Sequence, residues 1–183
     1  MTILLSMVFR LYLLWGRVYR FFRPKPEYEL KPYNEFFTFQ AFFSYIKNSG
    51  IKKYSRDSWY QLGDVISHPL DTLTRGFGDC DDYAATMSYL LPDRFSFENK
   101  NFTFLGMFAL VYSQRPHHII AVWFNDCEYF VISTKALLRF KSWNDLVLYF
   151  DFKDRKVRYF AWFNISHYSK KFRVQLQNVR KRV

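Results

Sequence analysis

Cysteine is nearly absent from this chain: Cys80 and Cys127 are its only two in 183 residues, too few to staple a fold with a disulfide framework. The redox compartment is therefore left open. Acidic residues are scarce as well, 16 against 27 lysines and arginines. The resulting formal charge of +11 and pI near 9.6 favour an anionic partner: nucleic acid, a membrane surface, an acidic protein or a bacterial envelope. Also missing is a run of about 20 uncharged apolar residues. The most apolar stretch, "MTILLSMVFRLYLLWGRVYRFF", has Arg10 in its middle, which argues against a membrane span. Its positive charges interrupt or follow the apolar residues and no A-x-A site appears, so it lacks a signal-peptide pattern, and the localisation expected is cytoplasmic or virion, with membrane association open. Internal repeats, low-complexity segments and composition breaks are absent too. One domain over residues 31–168 is expected, with an amphipathic helix and linker before it (1–30) and a basic tail after it (169–183).

What the chain does have is aromatic mass. Hydrophobic residues make up 50% and aromatics 22%, with 22 Phe and 14 Tyr, a composition that a disordered chain does not carry. In the first 22 residues, helical spacing gathers Ser6, Arg10, Arg17 and Arg20 on one narrow face and leaves the rest apolar. Such a helix packs on its own domain or a partner chain, or lies in an anionic membrane interface; its width implies that its apolar surface is not wholly buried on its own domain. Six Lys and Arg between Lys170 and Arg182 make the tail a candidate for phosphate and nucleic-acid contact.

Asn34 can cap a helix over residues 35–48 that stops at Gly50, and a second helix is expected over residues 55–67 with Asp57 as its cap. Pro69 and Gly76 bracket a shorter helix in "HPLDTLTRG". Asp79 then stands as N-cap, with Asp82 three residues on, for a helix whose Cys80, Tyr83, Ala84, Met87, Leu90 and Leu91 share one face and which Pro92 ends. Beyond it the period changes to two. Strands are expected at Phe102 to Tyr112 (apolar on both faces, hence central), His118 to Phe124, Glu128 to Ser133 and Val157 to Ile165. Ser142 and Asp145 form a capping box for a helix in "SWNDLVLYF". Helices followed by an antiparallel sheet make the class α+β.

The chemistry centres on "RGFGDCDDYA". A thiol at a helix start gains from the helix dipole as a nucleophile, while the carboxylates around it oppose ionisation. Without further context, a helical cysteine on an apolar face is a core residue. A nucleophile needs an imidazole, and the chain offers His68, His117, His118 and His167. A turn at Asn125-Asp126 would make the flanking strands a hairpin and set His118 opposite Ser133. Cys80 and His118 are then expected within hydrogen-bond reach, with His117 as the alternative imidazole. Ser133 holds a hydroxyl where a cysteine–histidine catalyst normally has an acid or amide to fix the ring tautomer. Gln61 is a candidate oxyanion donor beside the helix-start N–H groups.

The string "HPLDTLTRGFGDCDDYA" with "HIIAV" 38 residues after Cys80 resembles the bacterial transglutaminase-like cysteine proteinases, within the transglutaminase-like and papain-like superfamily. The resemblance covers residues 68–134. It implies a helix bearing the nucleophile Cys80 packed on a sheet bearing the base His118, with the family's aspartate falling at or next to Ser133. A protein or peptide substrate is implied, the acyl group being hydrolysed from or transferred between amines, and no cofactor is required. A calcium-dependent branch binds its ion through acids flanking the cysteine, which Asp79 and Asp81 match. The alternative, which the missing aspartate suits, is a weakened or inactive relative kept as a structural or assembly protein, a phage virion component or a membrane-associated interaction protein; small basic members resemble phage-encoded ones.

Overall fold

Seven strands, paired antiparallel throughout, build the sheet that organises the molecule. The computed structural model describes residues 1–22, 53–54, 66, 69–91, 94–112, 118–134, 136–151, 156–168 and 171–182. The helices expected over 35–48 and 55–67 therefore lie outside the described residues, Ile66 apart, as do Gln61, His68 and His117. The elements are α1 (Thr2–Phe22), β1 (Lys53–Tyr54), α2 (Pro69–Arg75), β2 (Phe77–Gly78), α3 (Cys80–Leu90), β3 (Arg94–Phe97), β4 (Lys100–Tyr112), β5 (His118–Asn125), β6 (Glu128–Ser133), β7 (Ala136–Phe140), α4 (Trp143–Phe150), β8 (Val157–Tyr168) and β9 (Lys171–Lys181). The sheet order is β7-β6-β5-β4-β8-β9, with β3 also paired to β4, while β1 and β2 form a separate parallel pair. Helices on an antiparallel sheet make the fold α+β.

Each face of the sheet carries its own core. On one, Ile119, Ala121 and Trp123 of β5 join Phe130 and Ile132 of β6 beneath α3, in a cluster that includes Cys80, Tyr83, Ala84 and Met87. On the other, the alternate residues Ile120, Val122 and Val131 pack with Leu146, Val147 and Phe150 of α4. β4 is central as its two apolar faces imply, and it feeds both clusters through a bulge. Phe102 and Phe104 belong to the α3 side before the shift at Gly106, and Met107 and Ala109 after it, so one extra residue changes which parity faces α3. Gly106 makes this possible. Its φ is +136°, and a Cβ there would lie 2.6 Å from the Phe163 carbonyl oxygen and against Trp162 Nε1, whose N–H donates to the Leu105 carbonyl.

Two expectations about the chain's ends are corrected. Residues 171–181 are not a tail: they form the edge strand β9, paired with β8 from Tyr168↔Lys171 to Tyr159↔Lys181. Its apolar set, Val174, Leu176 and Val179, changes parity at a bulge opposite Trp162 and Phe163, which hides the strand period among basic residues. Lysine and arginine on an edge strand also discourage further strand addition. At the other end α1 is no mere extension, for Phe9 and Leu13 are part of the α3-side core, with Phe9 edge-on to Phe163 at 5.4 Å. α1 packs on β9. Its outward surface stays exposed nonetheless, as its breadth implies.

Candidate functional site

α2 ends at Gly76, whose φ of +72° is the left-handed conformation that closes a helix and whose N–H donates to the Thr72 carbonyl at 2.9 Å. The chain then passes through β2 into α3. At Gly78 a Cβ would lie 2.7 Å from the Asp82 Cβ, so glycine is what lets β2 come this close to the helix start. Asp79 occupies the N-cap position with extended backbone, and its carbonyl accepts from Tyr83 N–H at 3.0 Å, but its side chain makes no cap hydrogen bond. The capping box expected of Asp79 and Asp82 is thus a cap in backbone only. Asp82 instead faces Arg75 at 3.5 Å, an ion pair with its acid buried.

α3 is buried almost all round, polar residues included, rather than on the one face its apolar spacing implies. Ser88 satisfies its hydroxyl by donating to the Ala85 carbonyl at 2.7 Å. Burial pushes the Tyr83 phenol up to about 12. The cover over the helix start comes partly from α1: Tyr12 O–H donates to Asp81 Oδ2 at 2.7 Å. No local sequence signal foretells this bond between residues 69 apart.

Asp79, Cys80 and Asp81 bring one potential ligand atom each within 4.8 Å of one another. The set does not suit calcium. It takes six to eight oxygens, and here two buried carboxylates, one already accepting from Tyr12, flank a soft sulfur.

The second half of the candidate site lies on the β5–β6 hairpin. Its turn is one residue later than Asn125-Asp126: Asn125 pairs with Glu128 around a loop of Asp126 and Cys127, and Asn125 Oδ1 accepts from Glu128 N–H at 2.9 Å. The register Ala121↔Ile132 therefore offsets His118 and Ser133 by two residues from direct opposition. A shift of two preserves the face, and the side chains still meet. His118 Nε2 and Ser133 Oγ are hydrogen-bonded at 2.7 Å, the hydroxyl donating to a bare Nε2 or the Nε2–H donating to the hydroxyl according to tautomer. Ser133 is buried, and the following Thr134 has φ +46°, a strained conformation for a β-branched residue. The His118 ring also lies 5.5 Å from that of Phe150 in α4.

Of the residues named from sequence, one pair is joined by a hydrogen bond. His118 and Ser133 are brought together, on the face that α4 covers. Cys80, 8% exposed, belongs to the core on the α3 face, although α3 itself packs directly on β5. Cys127 is an exposed thiol in the hairpin turn. Phe150, whose ring flanks His118, is a neighbour that sequence reasoning missed; its only signal was the apolar face of its own helix. Comparisons of the chain with protein-family models, with curated proteins and with solved structures return no match.

Proposed function

We propose that the chain is a transglutaminase-like thiol enzyme, hydrolysing peptide or isopeptide bonds or passing the acyl group to an amine. In this reading the Cys80 sulfur attacks the carbonyl, and His118 takes the thiol proton and returns it to the leaving amine. Water, or an acceptor amine, then releases the acyl group from sulfur. The observation that carries the reading is the His118–Ser133 hydrogen bond on the strand that α3 packs against. With Nε2 engaged by Ser133, Nδ1 is the nitrogen that exchanges the proton. The first N–H groups of α3, which no preceding turn can satisfy, suit the developing oxyanion. A serine in the third position orients the ring but brings no negative charge to the imidazolium, so a rate below that of an acid-assisted site is expected.

A second reading has its own support. Cys80 is buried among the apolar residues of the α3-side core, while the His118 ring lies 5.5 Å from Phe150 of α4. In this second reading the chain keeps the fold as an interaction or assembly module, with Cys80 as core.

The test is labelling with an electrophilic thiol probe read by intact mass, in a Cys127→Ser background. Rapid modification of Cys80 in the native protein, faster than in a small thiol at equal pH, supports the enzyme. Modification of Cys80 only on denaturation gives the second reading.

A further inference from the structure

The outward face of α1 is a feature that the proposed chemistry leaves unused. Leu4, Met7, Leu11, Leu14 and Val18 recur at alternating spacings of three and four, one continuous stripe along the helix, and are 40–63% exposed. Ile3 and Val8 widen it. This stripe faces away from Phe9 and Leu13, which are spent on the protein's own core. A monomer ordinarily leaves no contiguous apolar patch above a few hundred Å² in water, so a row of large apolar side chains this exposed along one helix face calls for a cover.

We propose that α1 is an interfacial membrane anchor, lying flat on an anionic lipid surface with this stripe inserted below the headgroups. Charge selects the occupant. Residues 1–22 contain Arg10, Arg17 and Arg20 and not one acid. At 100° per residue, Arg10 and Arg17 border the stripe beside Ile3 and Leu14, and both are exposed. There they meet lipid phosphates as the apolar side chains enter the interface. A second copy of α1 on the same stripe would set arginine against arginine with no carboxylate to pair it, and an apolar arc this wide exceeds the two-position seam of a helix pair. β9, on which α1 packs, adds the exposed Lys181, in phase with Val179 of the core that α1 joins. Among the described helices none is long and apolar enough to cross a membrane, so the helix lies on the bilayer. The inference rests on α1 and is independent of the chemistry proposed at Cys80.

The experiment is flotation of the full chain with vesicles of phosphatidylcholine alone and of phosphatidylcholine with phosphatidylglycerol, alongside sedimentation without lipid. The expected result is flotation with the anionic vesicles, at least about tenfold weaker for Leu11→Ser/Leu14→Ser at an unchanged melting temperature. Arg10→Gln/Arg17→Gln, which leaves the stripe intact, should bind several-fold more weakly and with a flatter salt dependence. It carries the test should the leucine variant fail to fold. Failure of the native chain to float overturns the proposal, as does flotation that neither variant weakens. A lipid-free dimer abolished by the leucine pair, without flotation, assigns the stripe to a second copy instead.

Discussion

The two faces of the central sheet are built from one set of strands yet hold different things. The α3 face gathers core from every long strand and from α1, and it buries the helix that carries Cys80. The α4 face is covered by a helix of only eight residues and holds the His118–Ser133 pair beside Phe150. Strand parity decides which residue goes where: His118 falls in phase with Ile120 and Val122, and Ile119 and Ala121 with α3. A thiol on α3 can therefore belong to one core while an imidazole on the neighbouring β5 is in phase with residues of the other. The difference teaches that for a helix–strand pair of candidate catalytic residues, phase along the strand matters as much as proximity of the elements.

The largest effect should come from breaking the device that lets β4 serve both faces. Gly106→Ala places a methyl against the Phe163 carbonyl and the Trp162 ring at a backbone angle alanine resists. A loss of about 3 kcal/mol in urea or thermal denaturation is expected, from strain and overpacking together. An unchanged midpoint would mean that the bulge is not needed to split the two cores.

Less costly is the tie between α1 and the Cys80 helix. Tyr12→Phe leaves the buried Asp81 carboxylate without its Tyr12 donor, and a destabilisation of about 1–2 kcal/mol is expected. If this bond also shapes access to the helix start, the variant should label at Cys80 faster than the native protein. Equal rates at equal stability would confine Tyr12 to packing.

Smaller still is the effect of acid at the hairpin end remote from His118. Glu128 accepts from both Arg139 (2.9 Å) and Lys100 (2.7 Å), and these hydrogen bonds hold its carboxyl down at about 2 against an ordinary value of 4.5. A depressed folded value stabilises the protein above about pH 4.5, and that stability is lost as pH falls toward 2. Because the cluster is largely open to solvent on its basic side, about 1 kcal/mol is a fair magnitude. Glu128→Gln should flatten the melting temperature over this window, whereas a parallel acid slope in the variant would assign it to other carboxylates.

Much of the fold was legible wherever local rules act without interruption. The strand Glu128–Ser133 stands as expected, α2 falls inside "HPLDTLTRG", and Ser142 accepts from Asp145 N–H at 3.1 Å as the capping box requires. What escaped the sequence was set by register and distance. The two-residue loop Glu98–Asn99, with both φ values positive, makes a β3–β4 hairpin without a glycine to announce it. β9 was hidden by its own bulge. At the candidate site, the meeting of His118 with Ser133 followed from their shared parity despite a misplaced turn. The contacts of Phe150 and Tyr12 with the site follow only from tertiary packing, which no spacing encodes.

The most direct measurement of the central claim is the pH dependence of Cys80 alkylation in the Cys127→Ser protein, compared with its His118→Ala and His117→Ala variants. If Cys80 and His118 form the working pair, the native protein shows a reactive thiolate below the pH at which a free thiol ionises, and His118→Ala abolishes that limb while His117→Ala keeps it. A limb that survives His118→Ala, or no such limb in the native protein, contradicts the account.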